Sequence, residues 1–135
     1  FVALGNSGER PIVARVEICL RHVNRDSTLD STCVLGPIFG RVRLGAGEKR
    51  HREFDFRVPP MLPPGRYLWT LRAAANDSTR ARAAAPMMIV PGVCTGAAPS
   101  IADVEAEVLQ GTGLEPDNAT PTLNTTWGSL KIRYK

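Results

Sequence analysis

Between residues 12 and 90 the chain alternates apolar and polar positions with period two, the spacing of strands that bury one face. In residues 12–20, Ile12, Ala14, Val16, Ile18 and Leu20 share one parity, and Arg15 and Glu17 the other. Residues 38–44 repeat the device, with Ile38, Val42 and Leu44 opposing Arg41 and Arg43. Gly40 interrupts that strand and predicts a bulge or a close backbone approach. Residues 52–58 put Phe54, Phe56 and Val58 on one side and Glu53, Asp55 and Arg57 on the other. The turn-forming Gly45-Ala46-Gly47 between these two runs predicts that they pair as a hairpin.

Pro59-Pro60 ends the third run, because proline cannot donate to a ladder, and Pro63-Pro64-Gly65 supplies a turn. Tyr67, Trp69, Leu71 and Ala73 then line one face of a strand with the aromatic and aliphatic content of a core element. Asn76-Asp77-Ser78 turns the chain again. Arg80, Arg82 and a run of alanines lead to residues 87–90, an apolar segment between Pro86 and Pro91 in which Met87 and Met88 read as packing residues. Short strands at this spacing predict an all-β fold, an antiparallel β-sandwich, with a core over residues 1–95. Residues 96–110 complete the domain as a short helix or strand. Ser100 and Asp103 form a capping pair, and Ile101, Val104, Val108 and Leu109 recur near helical spacing, whereas Val104, Ala106 and Val108 also alternate. Residues 111–127, rich in Gly, Pro, Asn and Thr, read as an extended connector. Residues 128–135 form a terminal strand with Leu130, Ile132 and Tyr134 alternating against Lys131, Arg133 and Lys135.

Composition narrows the class. A chain of 135 residues and 14.6 kDa builds one hydrophobic core. No stretch approaches the run of about 18 apolar residues that spans a bilayer. The first residue is Phe1, which reads as a mature or trimmed product. Three of the five asparagines, Asn76, Asn118 and Asn124, open an Asn-x-Ser/Thr triplet, against about 0.6 expected by chance. Each is a candidate glycosylation site on a surface loop, which points to an extracellular or cell-surface protein.

An oxidising compartment gives the cysteines meaning. Cys19 and Cys33 would close a short polar loop, worth about 3 kcal/mol in loop entropy, and Cys94 would then be free or bonded to another chain. Pairing of Cys94 with either of the others would instead staple two sheets. No Cys/His cluster has zinc-ligand spacing, so no metal or cofactor is expected.

The formal net charge is +4, and Arg41, Arg43, Lys49, Arg50, Arg52 and Arg57 crowd one stretch of sequence. Two readings stand: a row of cations that meets an acidic or sulfated partner, or a solvated sheet face offset by Glu48, Glu53 and Asp55. Nucleic acid is not expected, since few aromatics interleave with the basic residues. Catalysis finds little support. His22 lies near Asp26 and Asp30, with Ser27 and Ser31 close by in sequence, but no recognised nucleophile motif accompanies them.

The Pro63-Pro64-Gly65-Arg66-Tyr67 approach to an aromatic strand resembles a region of many extracellular immunoglobulin-like sandwiches. The resemblance implies an immunoglobulin-like fold in the broad sense. Antibody-type spacing is absent, because Trp69 falls far beyond Cys33 and Gly92 stands two before Cys94, where a corner tyrosine would be.

The terminal strand has two possible fates. It folds back onto its own domain, or a connector of roughly sixteen residues, spanning on the order of 50 Å, delivers it to a neighbour as a donor strand. In the second case Leu130, Ile132 and Tyr134 fill a groove on the next copy, and head-to-tail contacts build a filament. Residues 1–4 are a second, shorter donor. The expectation is therefore a non-catalytic glycoprotein module of structural or adhesive role. Its partner is itself or another extracellular protein or glycan. The alternative is a monomeric binding domain that uses an arginine-rich sheet face.

Overall fold

The computed structural model describes residues 1–75, 79–92 and 98–116, together with the backbone of residues 130–134. Asn76, Asn118, Asn124, Cys94 and most of the connector lie outside the described residues, as do the side chains of Leu130, Ile132 and Tyr134.

The chain is mostly β and its sheets are antiparallel. Among the described residues eight strands and one helix follow in order: β1 (Val2–Asn6), β2 (Ile12–His22), β3 (Leu35–Leu44), β4 (Lys49–Arg52), β5 (Gly65–Ala74), β6 (Arg80–Ile89), α1 (Ile101–Thr112), β7 (Glu115–Pro116) and β8 (Leu130–Tyr134). One sheet has the order β6-β5-β2-β3-β7 and the other β4-β1-β8. The alternation does what it predicts on β2, β3 and β5: Ile12, Val16, Ile18, Leu20, Ile38, Val42, Leu44, Tyr67, Trp69 and Leu71 are buried in one cluster. Val2 and Leu4 of β1 and Val104 and Val108 of α1 join the same cluster, so both sheets and the helix share a core.

The expected hairpin between residues 38–44 and 52–58 does not form. β3 pairs with β2 and β7, whereas β4 covers only Lys49–Arg52 and pairs with β1. The corner explains the departure. Gly47 turns with φ +69°, and the Glu48 carboxylate accepts from the Gly45 N–H at 2.8 Å. Asn6, 1% exposed, donates its Nδ2 to the carbonyls of Arg10 (2.7 Å) and Gly45 (3.1 Å), and its backbone N–H donates to the Glu48 carbonyl. A buried amide satisfied on this scale holds the chain where it leaves one sheet for the other. Phe54 and Phe56 still pack against the core, but outside any ladder.

β6 runs unbroken through Pro86, which is tolerated because β6 is the edge of its sheet and the missing N–H costs no ladder bond. Met87 packs on the core, but Met88 points outward and is 61% exposed, so only one of the two methionines is a packing residue. The capping box at Ser100 and Asp103 is present and starts α1. The helix extends two residues beyond position 110 and ends at Gly113 in the left-handed region. Two anchors hold it. Glu105 Oε1 accepts from the Gly36 N–H at 2.9 Å, and Glu107 accepts from the Arg57 backbone N–H and from its Nε. Those bonds from Arg57 keep the Glu107 carboxyl below the usual glutamate range.

β8 pairs with β1 of the same chain, Val2 opposite Tyr134 and Asn6 opposite Leu130. Residues 1–4 thus begin the central strand of the smaller sheet.

Candidate binding face

Strand register decides which arginines meet. Arg15 of β2 stands opposite Arg41 of β3 and opposite Ala74 of β5. Ala74 in turn stands opposite Arg80 of β6, and Arg41 opposite Glu115 of β7. The row Arg80, Ala74, Arg15, Arg41, Glu115 therefore crosses all five strands on the outer face. One step along the strands lies a second row: Arg82, Arg72, Glu17 and Phe39. Arg43 lies beyond Arg41 on the same side of β3. Among the described residues these two rows with Arg43 hold six arginines and two glutamates.

Two directly opposed pairs, Arg15 with Arg41 and Arg72 with Arg82, put like charges across a ladder, which weakens a sheet by a few tenths to roughly 1 kcal/mol each. Glu115 offsets Arg41, with Oε2 3.5 Å from Nε. Glu17 is the neighbour opposite Arg72 without coming within ion-pair distance. Arg72 and Arg82 have no acidic partner among the described residues. The sheet face holds an open depression of about 750 Å³ whose lining includes Arg15, Glu17, Phe39, Arg72, Ala74, Arg80 and Arg82. Phe39 alternates away from the core and is 48% exposed, an apolar ring beside the arginines.

The basic stretch singled out in the sequence divides between several places. Arg41 and Arg43 belong to this face. Lys49, Arg50 and Arg52 sit on β4 in the other sheet, where Arg50 is engaged by Glu48 at 2.8 Å and the Arg52 guanidinium lies over Gly113. Arg57 is held by Glu107. The residues missed were Arg15, Arg72, Arg80 and Arg82. Each was visible as an outward position of its own strand, but their adjacency depends on register, which a single strand's pattern does not carry.

One end of the face is closed by a loop. Cys19 occupies an outward register position, opposite Thr70, yet is 1% exposed. It is bonded to Cys33, which draws the loop between β2 and β3 over the sheet. Within the loop, Asp26 accepts from the Thr28 hydroxyl and backbone N–H, bonds that lower its pKa. His22 Nδ1 lies 3.7 Å from Asp30 Oδ2 and its ring meets Tyr67 edge-on. Neither Ser27 nor Ser31 hydrogen-bonds His22 among the described residues, so the Ser/His/Asp grouping is not assembled. Tyr67 and Trp69 are buried core residues: the Tyr67 hydroxyl donates to the Pro63 carbonyl at 2.6 Å, and Trp69 packs edge-on against Phe56.

No protein-family model matches the chain, and neither curated proteins nor solved structures show a significant similarity to it. Among the described residues no group of three His, Cys, Asp or Glu side chains could hold a metal ion, and no helix is long and apolar enough to cross a membrane.

Proposed function

We propose that the chain is a non-catalytic extracellular module, a β-sandwich immunoglobulin-like in the broad sense, with an adhesive role. It holds an acidic or sulfated partner on the outer face of its five-stranded sheet. The observation that carries this reading is the register that gathers arginines from β2, β3, β5 and β6 on one face, with Arg72 and Arg82 opposed and lacking an acid among the described residues. Such an arrangement costs stability in the free protein and is relieved when an anion enters. The Cys19–Cys33 bond and the three Asn-x-Ser/Thr triplets support an oxidising, glycosylating compartment. The intrachain β1–β8 ladder favours a terminus folded back on its own domain, so filament growth by strand exchange is not proposed.

Heparin affinity chromatography with paired variants tests this. Changing Arg15, Arg72 and Arg82 together to Ser should weaken binding on the order of tenfold to a hundredfold at low salt, from three screened contacts of about 0.5–1 kcal/mol each. The salt dependence of the remaining binding should also flatten. A charge-matched control on the other sheet, Lys49, Arg50 and Arg52 to Ser, should bind nearly as the parent does. Equal losses in both triples would mean that net charge alone acts, and would contradict the assigned face.

A further inference from the structure

Resting on that reading of the face, we infer that the depression over Ala74 seats a single tetrahedral oxyanion, a sulfate ester on a sugar chain, and that Phe39 takes the apolar side of a neighbouring sugar ring. Ala74 has Arg15 and Arg80 as its direct cross-strand neighbours, Arg72 two positions before it on β5, and Arg82 diagonally across β6. Strands lie about 4.8 Å apart and same-face positions about 6.8 Å apart, so four arginines ring one methyl group at close range. Any longer side chain at position 74 would project into the depression. Ala74 is the residue whose small size leaves room for a ligand.

The geometry selects the anion. A planar carboxylate is satisfied by one bidentate guanidinium, whereas a tetrahedral oxyanion offers acceptors in several directions to forks arriving from three strands. Glu17 restricts where that charge can sit. It occupies the position between Arg72 and Phe39 in its row, and it would repel a second anion there. From Ala74 to Phe39 is two strands across and one same-face step along, a diagonal of about 12 Å. A ligand that fits both ends carries its anionic group at Ala74 and an uncharged ring face at Phe39, which describes a short, sparsely sulfated oligosaccharide. A disordered acidic peptide would spread its charge over Glu17 as well.

The experiment is isothermal titration of the full chain with a singly sulfated keratan-type tetrasaccharide, which carries no carboxylate, with its desulfated counterpart and with inositol hexakisphosphate. Ala74→Leu leaves every charge in place and should reduce affinity for the sulfated tetrasaccharide at least tenfold, whereas Ala74→Ser should bind as the parent does. Phe39→Ser should lose severalfold for the tetrasaccharide while binding inositol hexakisphosphate unchanged, since that probe has no uncovered ring face to stack. The desulfated sugar should not bind. Thermal melts check that each variant folds, and Ala74→Thr, a β-branched residue suited to a strand, should lose severalfold and takes the place of Ala74→Leu if that variant does not fold. Wild-type affinity in Ala74→Leu, together with loss in the arginine triple, would overturn the seat and leave the polyanion face standing. Wild-type affinity in both would overturn the face itself. Tetrasaccharide binding that Phe39→Ser leaves unchanged, or a desulfated sugar that binds as the sulfated one does, would overturn the sugar assignment.

Discussion

Gly40→Val is expected to lower folding stability by about 3 kcal/mol, and Gly40→Ala by roughly half of that. A Cβ on Gly40 would stand 2.8 Å from Leu114 Cβ, 3.1 Å from Leu109 Cδ1 and 3.2 Å from the Glu115 carbonyl oxygen. Gly40 faces inward on β3 at the point where α1 has ended and β7 has begun to pair, Gly40 opposite Pro116. The neighbours cannot withdraw cheaply, because Leu114 and Leu109 belong to or pack against the core and Glu115 is backbone of the ladder. The penalty is one of space: β3 must separate from α1 and β7, or the helix end must shift. Urea denaturation should show a lower midpoint at an unchanged slope for Gly40→Ala. The flanking residues Phe39 and Arg41 point to the outer face, so the valine variant should also weaken heparin binding.

Replacing both Cys19 and Cys33 by Ser is expected to cost about 3 kcal/mol, the closure entropy of a loop whose ends are 14 residues apart. The loss should be accompanied by faster amide exchange in residues 24–33, the loop that the bond draws over the sheet. Exchange in β5 should change little near Leu71, which other strands bury. Identical urea midpoints for the parent and the Ser/Ser variant would show that the loop is held by its other contacts alone, such as the Val34 N–H to the Leu20 carbonyl at 2.8 Å.

Inward and outward positions are legible in the chain, because period two reports which side chains turn inward, although residues 53–58 alternate without joining a ladder. β2 and β5 appear where alternation places them, and the Ser100–Asp103 pair marks the start of α1. Partnership was not written there. Two runs joined by a glycine turn read as a hairpin, but the corner at Gly45, Glu48 and the buried Asn6 sends Lys49–Arg52 to another sheet and leaves residues 53–58 outside any ladder. The same corner divided the basic stretch, since residues adjacent in sequence on either side of it end on different sheets. Arg72, Arg82 and Arg15 are far apart in the chain and became neighbours only through register. Phe39 is legible as outward by parity from Ile38, against the ordinary placement of an aromatic in the core. Pro86 concealed the length of β6 because a proline reads as a break unless the strand is already known to be an edge.

Backbone amide shift mapping of the full chain against a heparin tetrasaccharide addresses the central claim most directly. The expected shifts concentrate on residues 15–17, 39–41, 72–74 and 80–82, four segments that share one sheet face and little else. Shifts concentrated instead on Lys49–Arg52 and Arg57, the basic residues contiguous in sequence but divided by the fold, would contradict it.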